Sequence, residues 1–97
     1  MVYFIAEIFF KEEKKLDSYW EYVEKVKPIV SRYQGKYIVR SDHISTVNRD
    51  GERKPDRVIV IAFDSRKQLD LCFSSQEYRS ISFLRENAVE SRARIVE

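Results

Sequence analysis

Cysteine occurs once in this 97-residue sequence, as Cys72, so no disulfide can close within the chain, as expected of a protein from a reducing compartment. Glycine occurs twice, and Gly35 and Gly51 stand singly, which excludes a phosphate-cradling glycine loop. His43 is the only histidine, and zinc-ligand spacing is absent, so a metal site would have to be built almost entirely from carboxylates. No apolar run approaches the ~20 residues that cross a bilayer, and Met1 to Glu7 lack the basic flank and long apolar region of a secretory signal. A soluble, cytoplasmic protein is the expectation. Charge of one sign is also lacking: 18 basic and 16 acidic residues leave +2, and they are interspersed, so neither nucleic acid nor an anionic membrane is expected as a partner.

What is present is a hydrophobic fraction of 43% with 13% aromatic residues. At this length the chain buries roughly two thirds of its unfolded surface around one core, and residues 1–97 are expected to form a single domain. Val2 to Phe10 is apolar in both parities apart from Glu7 and reads as a strand covered on both sides. Ser18, three residues before Glu21, is spaced to begin a helix, and Leu16, Tyr19, Val23, Val26, Val30 and Tyr33 recur at helical intervals behind it. Pro28 predicts a kink or break near Glu24 to Lys27, and Gly35 a stop at the helix C-terminus.

A second strand is expected over Lys36 to Val47, then a turn at Asp50-Gly51, then a third strand over Arg57 to Phe63, apolar on both faces. Ser65 with Gln68 and Ser74 with Glu77 repeat the capping spacing, so two further helical segments should start at those serines. The first runs from about Arg66 to Phe73, and the second carries Tyr78, Ile81, Leu84 and Ala88 on one face. Arg92 to Val96 closes the sheet. The order βαββααβ is the ferredoxin-like arrangement, an α+β sandwich with helices on one face of a four-stranded antiparallel sheet. Strands one and three would then show Phe, Ile and Val to water on the other face, and a second copy packed sheet to sheet is the simplest cover.

Three blocks carry a family resemblance: Tyr33-Gln34-Gly35-Lys36-Tyr37-Ile38-Val39-Arg40; Pro55-Asp56-Arg57-Val58-Ile59-Val60-Ile61-Ala62-Phe63-Asp64-Ser65; and Phe73-Ser74-Ser75-Gln76-Glu77-Tyr78 with Arg85. In order and spacing they resemble the family catalogued as domain of unknown function 1330. The resemblance implies a dimeric α/β barrel, two ferredoxin-like sheets facing each other around a central cavity, and implies no known reaction. The sequence departs from the family pattern at Lys11, Lys36, Ala62 and the pair Cys72-Phe73, so a site built on those family positions would be altered here.

Arg40 and Arg57 fall on family positions in neighbouring strands, and a guanidinium grips a carboxylate forkwise, so they are candidate anchors for an acidic small molecule. Structural ion bridges to Asp42, Asp56 or Glu7 are the competing and commoner role. Glu7, the lone charge in its strand, is a candidate acid or base if burial raises its pKa. Tyr37, Tyr78 and Ser75 are ligand-binding candidates, the last two because they match a family block. Tyr3, Tyr19 and Tyr33 could line a cavity too, although tyrosines at such spacings more often pack in a core with a wet tip. His43 is a further ligand-binding candidate; haem ligation through it rests on fold analogy alone, and no cofactor is expected. Cys72 lies on an apolar stripe and reads as core filler rather than as a thiolate. RNA binding would need exposed aromatics on strand three, where Arg57 to Ala62 supplies aliphatics.

Two functions stay open at this stage. One is a dimer that binds or transforms a small anionic or aromatic molecule in a cavity by the sheet face. The other is a non-catalytic dimeric scaffold, sensor or stress-responsive protein.

Overall fold

The computed structural model describes residues 1–11, 16–48 and 51–97. Its elements are β1 (Val2–Phe10), α1 (Leu16–Arg32), β2 (Lys36–Ser41), β3 (Arg57–Phe63), α2 (Arg66–Ser74), α3 (Gln76–Glu86) and β4 (Val89–Val96). The strands form one antiparallel sheet in the order β2-β3-β1-β4. This is the α+β, ferredoxin-like architecture expected from the element order.

Alternation along each strand sorts the side chains onto two faces. Val2, Phe4, Ala6 and Ile8 of β1 stand beside Phe63, Ile61, Ile59 and Arg57 of β3 and face the helices, where they meet Val26 and Val30 of α1, Leu69 and Cys72 of α2, and Ile81 and Leu84 of α3. The opposite face carries a row of Val39, Val60 and Ile5 across three strands. Ile5 and Val60 are half-buried and Val39 is exposed, and no helix crosses them.

Several boundaries differ from the sequence expectation for physical reasons. Helix α1 runs unbroken through Pro28, because Val26 before it and Ile29 and Val30 after it are all buried in the core and packing holds both sides of the proline. Ser18 lies within the first turn, where its Oγ donates to the Leu84 carbonyl at 3.0 Å rather than capping the helix.

At the other end of α1, Gln34, not Gly35, takes the left-handed conformation, with φ 65°. The Gly35 amide donates to the Val30 carbonyl at 2.9 Å and the Gln34 amide to Ser31 at 2.9 Å, a Schellman closure with Gln34 at C′. Gly35 is needed for space: a Cβ there would sit 2.7 Å from Val30 Cγ1 and 2.8 Å from the Phe63 ring.

Strand β2 stops at Ser41 instead of reaching Val47, because its ladder with β3 ends at Ser41 opposite Val58. The His43 amide then turns back to Ser41 Oγ at 3.0 Å. Helix α2 extends to Ser74, so the cap of α3 is Ser75, whose Oγ accepts from the Tyr78 amide at 3.1 Å. Strand β4 begins at Val89, paired with Phe10, three residues before the expected Arg92. Gly51 has φ +84°, as a turn requires, while Asp50 lies outside the described residues. Among the described residues no helix is long and apolar enough to cross a membrane.

Candidate functional site

The sheet's helix side becomes polar at one end. Arg57 on β3 stands beside Ile8 on β1, which stands beside Ser91 on β4. The next row is Arg40, Ile59, Ala6 and Ala93, and the one after it Tyr37, Ile61, Phe4 and Ile95. Helix α1 spans this floor with Tyr19, Tyr22 and Val26, which share one face at three- and four-residue spacing, and α3 adds Tyr78 and Arg85, two turns apart. Between floor and helices lies a cavity of about 360 Å³, within the size range of small-molecule sites.

Three guanidiniums border it. Arg57 is only 8% exposed. Its Nη1 donates to the Tyr19 hydroxyl at 2.6 Å, and its charge lies 5.2 Å from the centroid of the Trp20 ring. Arg85 donates from Nη1 to Ser91 Oγ at 3.3 Å and sits 5.9 Å from the Tyr22 ring, while its Nε is buried without a hydrogen-bond partner. Arg40 is exposed at the rim, 5.0 Å over the Tyr37 ring. Among the described residues none of the three forms an ion pair, and no aspartate or glutamate borders the cavity. Lys27, also at its edge, is paired with Glu24 at 3.5 Å.

The tyrosines are neutral donors. Burial pushes the Tyr37 hydroxyl up to about 12, against the pull of Arg40. Burial also raises Tyr19 against the opposing field and hydrogen bond of Arg57. It raises Tyr22 further, with help from Tyr78, whose hydroxyl lies 3.0 Å away. Burial disfavours charge on Arg85 as well, but the attraction of the Tyr78 and Tyr22 oxygens in their ionised form, together with Glu86, outweighs it and the group is held above the ordinary arginine range. The cavity therefore offers fixed positive charge and hydroxyl donors, with no carboxylate or imidazole on its walls among the described residues.

Of the residues singled out in the sequence, Arg40, Arg57, Tyr37 and Tyr78 converge on this cavity, as does Tyr19. The ion bridges weighed for the arginines go elsewhere: Asp56 pairs with Arg53 at 3.0 Å and accepts from the Phe10 amide at 2.8 Å. Glu7 is exposed on the open face, opposite Val58 and Arg92, and does not reach the cavity, so the burial that would have made it an acid or base is missing in the protomer. His43 is exposed beyond the end of β2, its Nε2 3.4 Å from Asp42. Ser75 caps α3 and donates to the Cys72 carbonyl at 2.7 Å, so it places Tyr78 without bordering the cavity itself. Cys72 is fully buried, and burial pushes its thiol up to about 11.

This cavity lies beneath the helices of one protomer, on the other side of the sheet from the open face where a second copy was expected to enclose one. Tyr22, Arg85 and Ser91 were missed as site residues. The available signal was spacing, since Tyr22 follows Tyr19 by three residues and Arg85 follows Tyr78 by seven. Among the described residues no three His, Cys, Asp or Glu side chains gather where they could hold a metal ion.

Compared with known families, residues 1–97 match the one described as Domain of unknown function (DUF1330). No curated protein matches the chain. Among solved structures, a protein of unknown function from Rhodopseudomonas palustris is similar at TM-score 0.80 and 16% identity, covering 98% of this chain and 79% of that one. A dimeric ferredoxin-like protein of unknown function from Jannaschia sp. CCS1 is similar at TM-score 0.78 and 12% identity, over 99% of this chain and 97% of the other. SnoaB, a cofactor-independent oxygenase from Streptomyces nogalater, is similar at TM-score 0.69 and 8% identity, over 99% and 90%. At these identities the likeness is one of fold.

Proposed function

We propose that this chain, which belongs to the DUF1330 family, pairs with a second copy through the open face of its sheet and binds a small anionic, aromatic molecule in the cavity beneath its helices. The observation that carries the ligand reading is the charge of the cavity: among the described residues three arginines border it, and no carboxylate does. Keeping the buried Arg57 charged is costly without a counter-ion, and a bound anion supplies one. The ring-lined remainder, with Phe4, Phe73 and Tyr78 packed at centroid distances of 4.6 and 5.0 Å, suits a flat apolar body.

Binding without catalysis is favoured because, among the described residues, no carboxylate or imidazole base lines the cavity. A second reading, turnover without a cofactor, draws on the fold shared with SnoaB; among the described side chains that line the cavity, the proton donors beside the cations are hydroxyls. Pairing is supported by the apolar row Val39, Val60 and Ile5 that no helix covers, and by the dimeric neighbour from Jannaschia. Two measurements test the reading. Benzoate and 1-naphthoate at saturating concentration should raise the melting temperature through preferential binding to the folded state, whereas no shift with any aromatic acid would sink it. Light scattering should give twice the mass of one chain, and a clean monomer would remove the pairing.

A further inference from the structure

The polar atoms that border the cavity are unbalanced in a second way. A guanidinium has five N–H donors and no acceptor. Arg57 uses Nη1 on the Tyr19 hydroxyl and Arg85 uses Nη1 on Ser91 Oγ, which leaves Arg85 Nε buried with nothing to donate to. Tyr19 and Ser91 already accept from these arginines, and their own protons remain to be donated. The Tyr22 and Tyr78 hydroxyls share one proton between them across 3.0 Å, and the second proton of the pair is spare. Among the described residues no lining side chain is a carboxylate or a carboxamide. The walls therefore present donors in excess and no obligate acceptor, and orphaned buried donors of this kind are rare in folded proteins.

Arg57 and Arg85 also stand apart from the ring-lined part of the floor. Arg57 and Ser91 share one row at one end, with Arg85 bonded to Ser91, while Phe4 and Ile61 form a row further along, under Phe73, and the polar member of that row is Tyr37, at the edge beneath Arg40. A ligand that satisfies both ends carries its oxygens at one end and its ring at the other.

We propose that the ligand is an aromatic acid whose remaining polar atoms are all hydrogen-bond acceptors, an aromatic 2-oxo acid being the simplest class, and that an ammonium group beside its carboxylate excludes it. This rests on the ligand-binding reading above and narrows it. An ammonium would bring three more donors and a positive charge beside Arg57 and Arg85, with no carboxylate to receive either.

Calorimetric titration of the full chain with benzoate, phenylglyoxylate and phenylglycine tests it, since the last two share ring and carboxylate and differ in an acceptor keto oxygen against an ammonium. Phenylglyoxylate should bind at least as tightly as benzoate, and phenylglycine at least roughly tenfold more weakly than phenylglyoxylate, because buried donors left unpaired cost about that factor or more. Phenylglycine binding within about threefold of phenylglyoxylate would overturn the class while leaving the anion reading intact. If benzoate and phenylglyoxylate both fail to bind, the anion reading itself is lost and this inference with it. Arg85→Met should weaken phenylglyoxylate by roughly tenfold through loss of the Nε and Nη1 donors. Should that variant misfold, Arg85→Lys, which keeps the charge but lacks the Nε and paired Nη donors of a guanidinium, should weaken phenylglyoxylate by roughly threefold or more; unchanged affinity in that variant would count against Arg85 as the receiving group.

Discussion

Arg57 Nη1 donates a 2.6 Å hydrogen bond to the Tyr19 hydroxyl, and both side chains are almost fully buried where β3 meets α1. A buried cation with a hydroxyl for a partner and, among the described residues, no counter-ion separates stability from function in a measurable way. Tyr19→Phe removes the acceptor but keeps the ring, and should cost about 1–3 kcal/mol in urea denaturation because the charge is left with less compensation. Arg57→Met replaces the charge by an apolar side chain of similar length, and should change stability by less than about 1 kcal/mol or raise it while removing the melting shift given by benzoate.

Alkaline pH should unfold the protein through its buried acids. Tyr37 is pushed up to about 12 and Cys72 to about 11, and Tyr22 and Tyr19 are also raised, all chiefly by burial. Each group keeps its proton in the folded state to higher pH than in the unfolded chain, where the ordinary values are 10.0 for tyrosine and 9.0 for cysteine. Between those values the unfolded chain binds fewer protons, so stability falls as pH rises. The contribution is fully present below about pH 9 and is lost towards pH 12. Urea midpoints measured across this range should be flat at neutral pH and drop in that window, and Tyr37→Phe should make the drop shallower; a midpoint indifferent to pH up to 12 would contradict the burial of these groups.

The end of α1 gives a pair of opposite substitutions. Gly35→Ala forces a methyl against Val30 and Phe63 and should destabilise by about 1–3 kcal/mol. Gln34→Gly relieves a left-handed residue at φ 65° and should stabilise by about 0.5–1 kcal/mol. Thermal denaturation of both variants separates the two roles, and the reverse pattern would return the left-handed position to Gly35.

Pairing and ligand binding use opposite faces of the sheet and should come apart. Val60 lies in the middle of the open face, beside Ile5 and Val39, whereas the cavity is beneath the helices. Val60→Lys should yield monomers by light scattering that still bind benzoate with wild-type affinity. Loss of affinity together with the dimer would mean that the partner copy completes the site.

Most of this architecture was legible in the sequence because burial writes itself into periodicity. β1 and β3 were read in full from their two-sided apolar runs, and the serine at residue 65 marked α2. What the sequence did not show depended on contacts between distant segments. Pro28 is tolerated because Val26, Ile29 and Val30 are all buried. β2 ends where its partner strand ends. Ser75 rather than Ser74 caps α3 because α2 runs one residue longer than its pattern suggested.

The site was half legible. Arg40, Arg57, Tyr37 and Tyr78 could be named, but the side of the sheet they share is fixed by register with β1, and Arg85 joins them only through the fold of α3 against β4. Glu7 was singled out because it interrupts an apolar strand. In a two-sided strand, that interruption marks the face the helices do not cover.

The most direct measurement is the anomalous difference map of a crystal soaked in 4-bromobenzoate. The account predicts a bromine peak beneath the helices, towards Phe4 and Phe73, with the carboxylate directed at Arg57 and Arg85. A peak on the open face of the sheet, or a cavity filled by ordered water alone at saturating ligand, would contradict it.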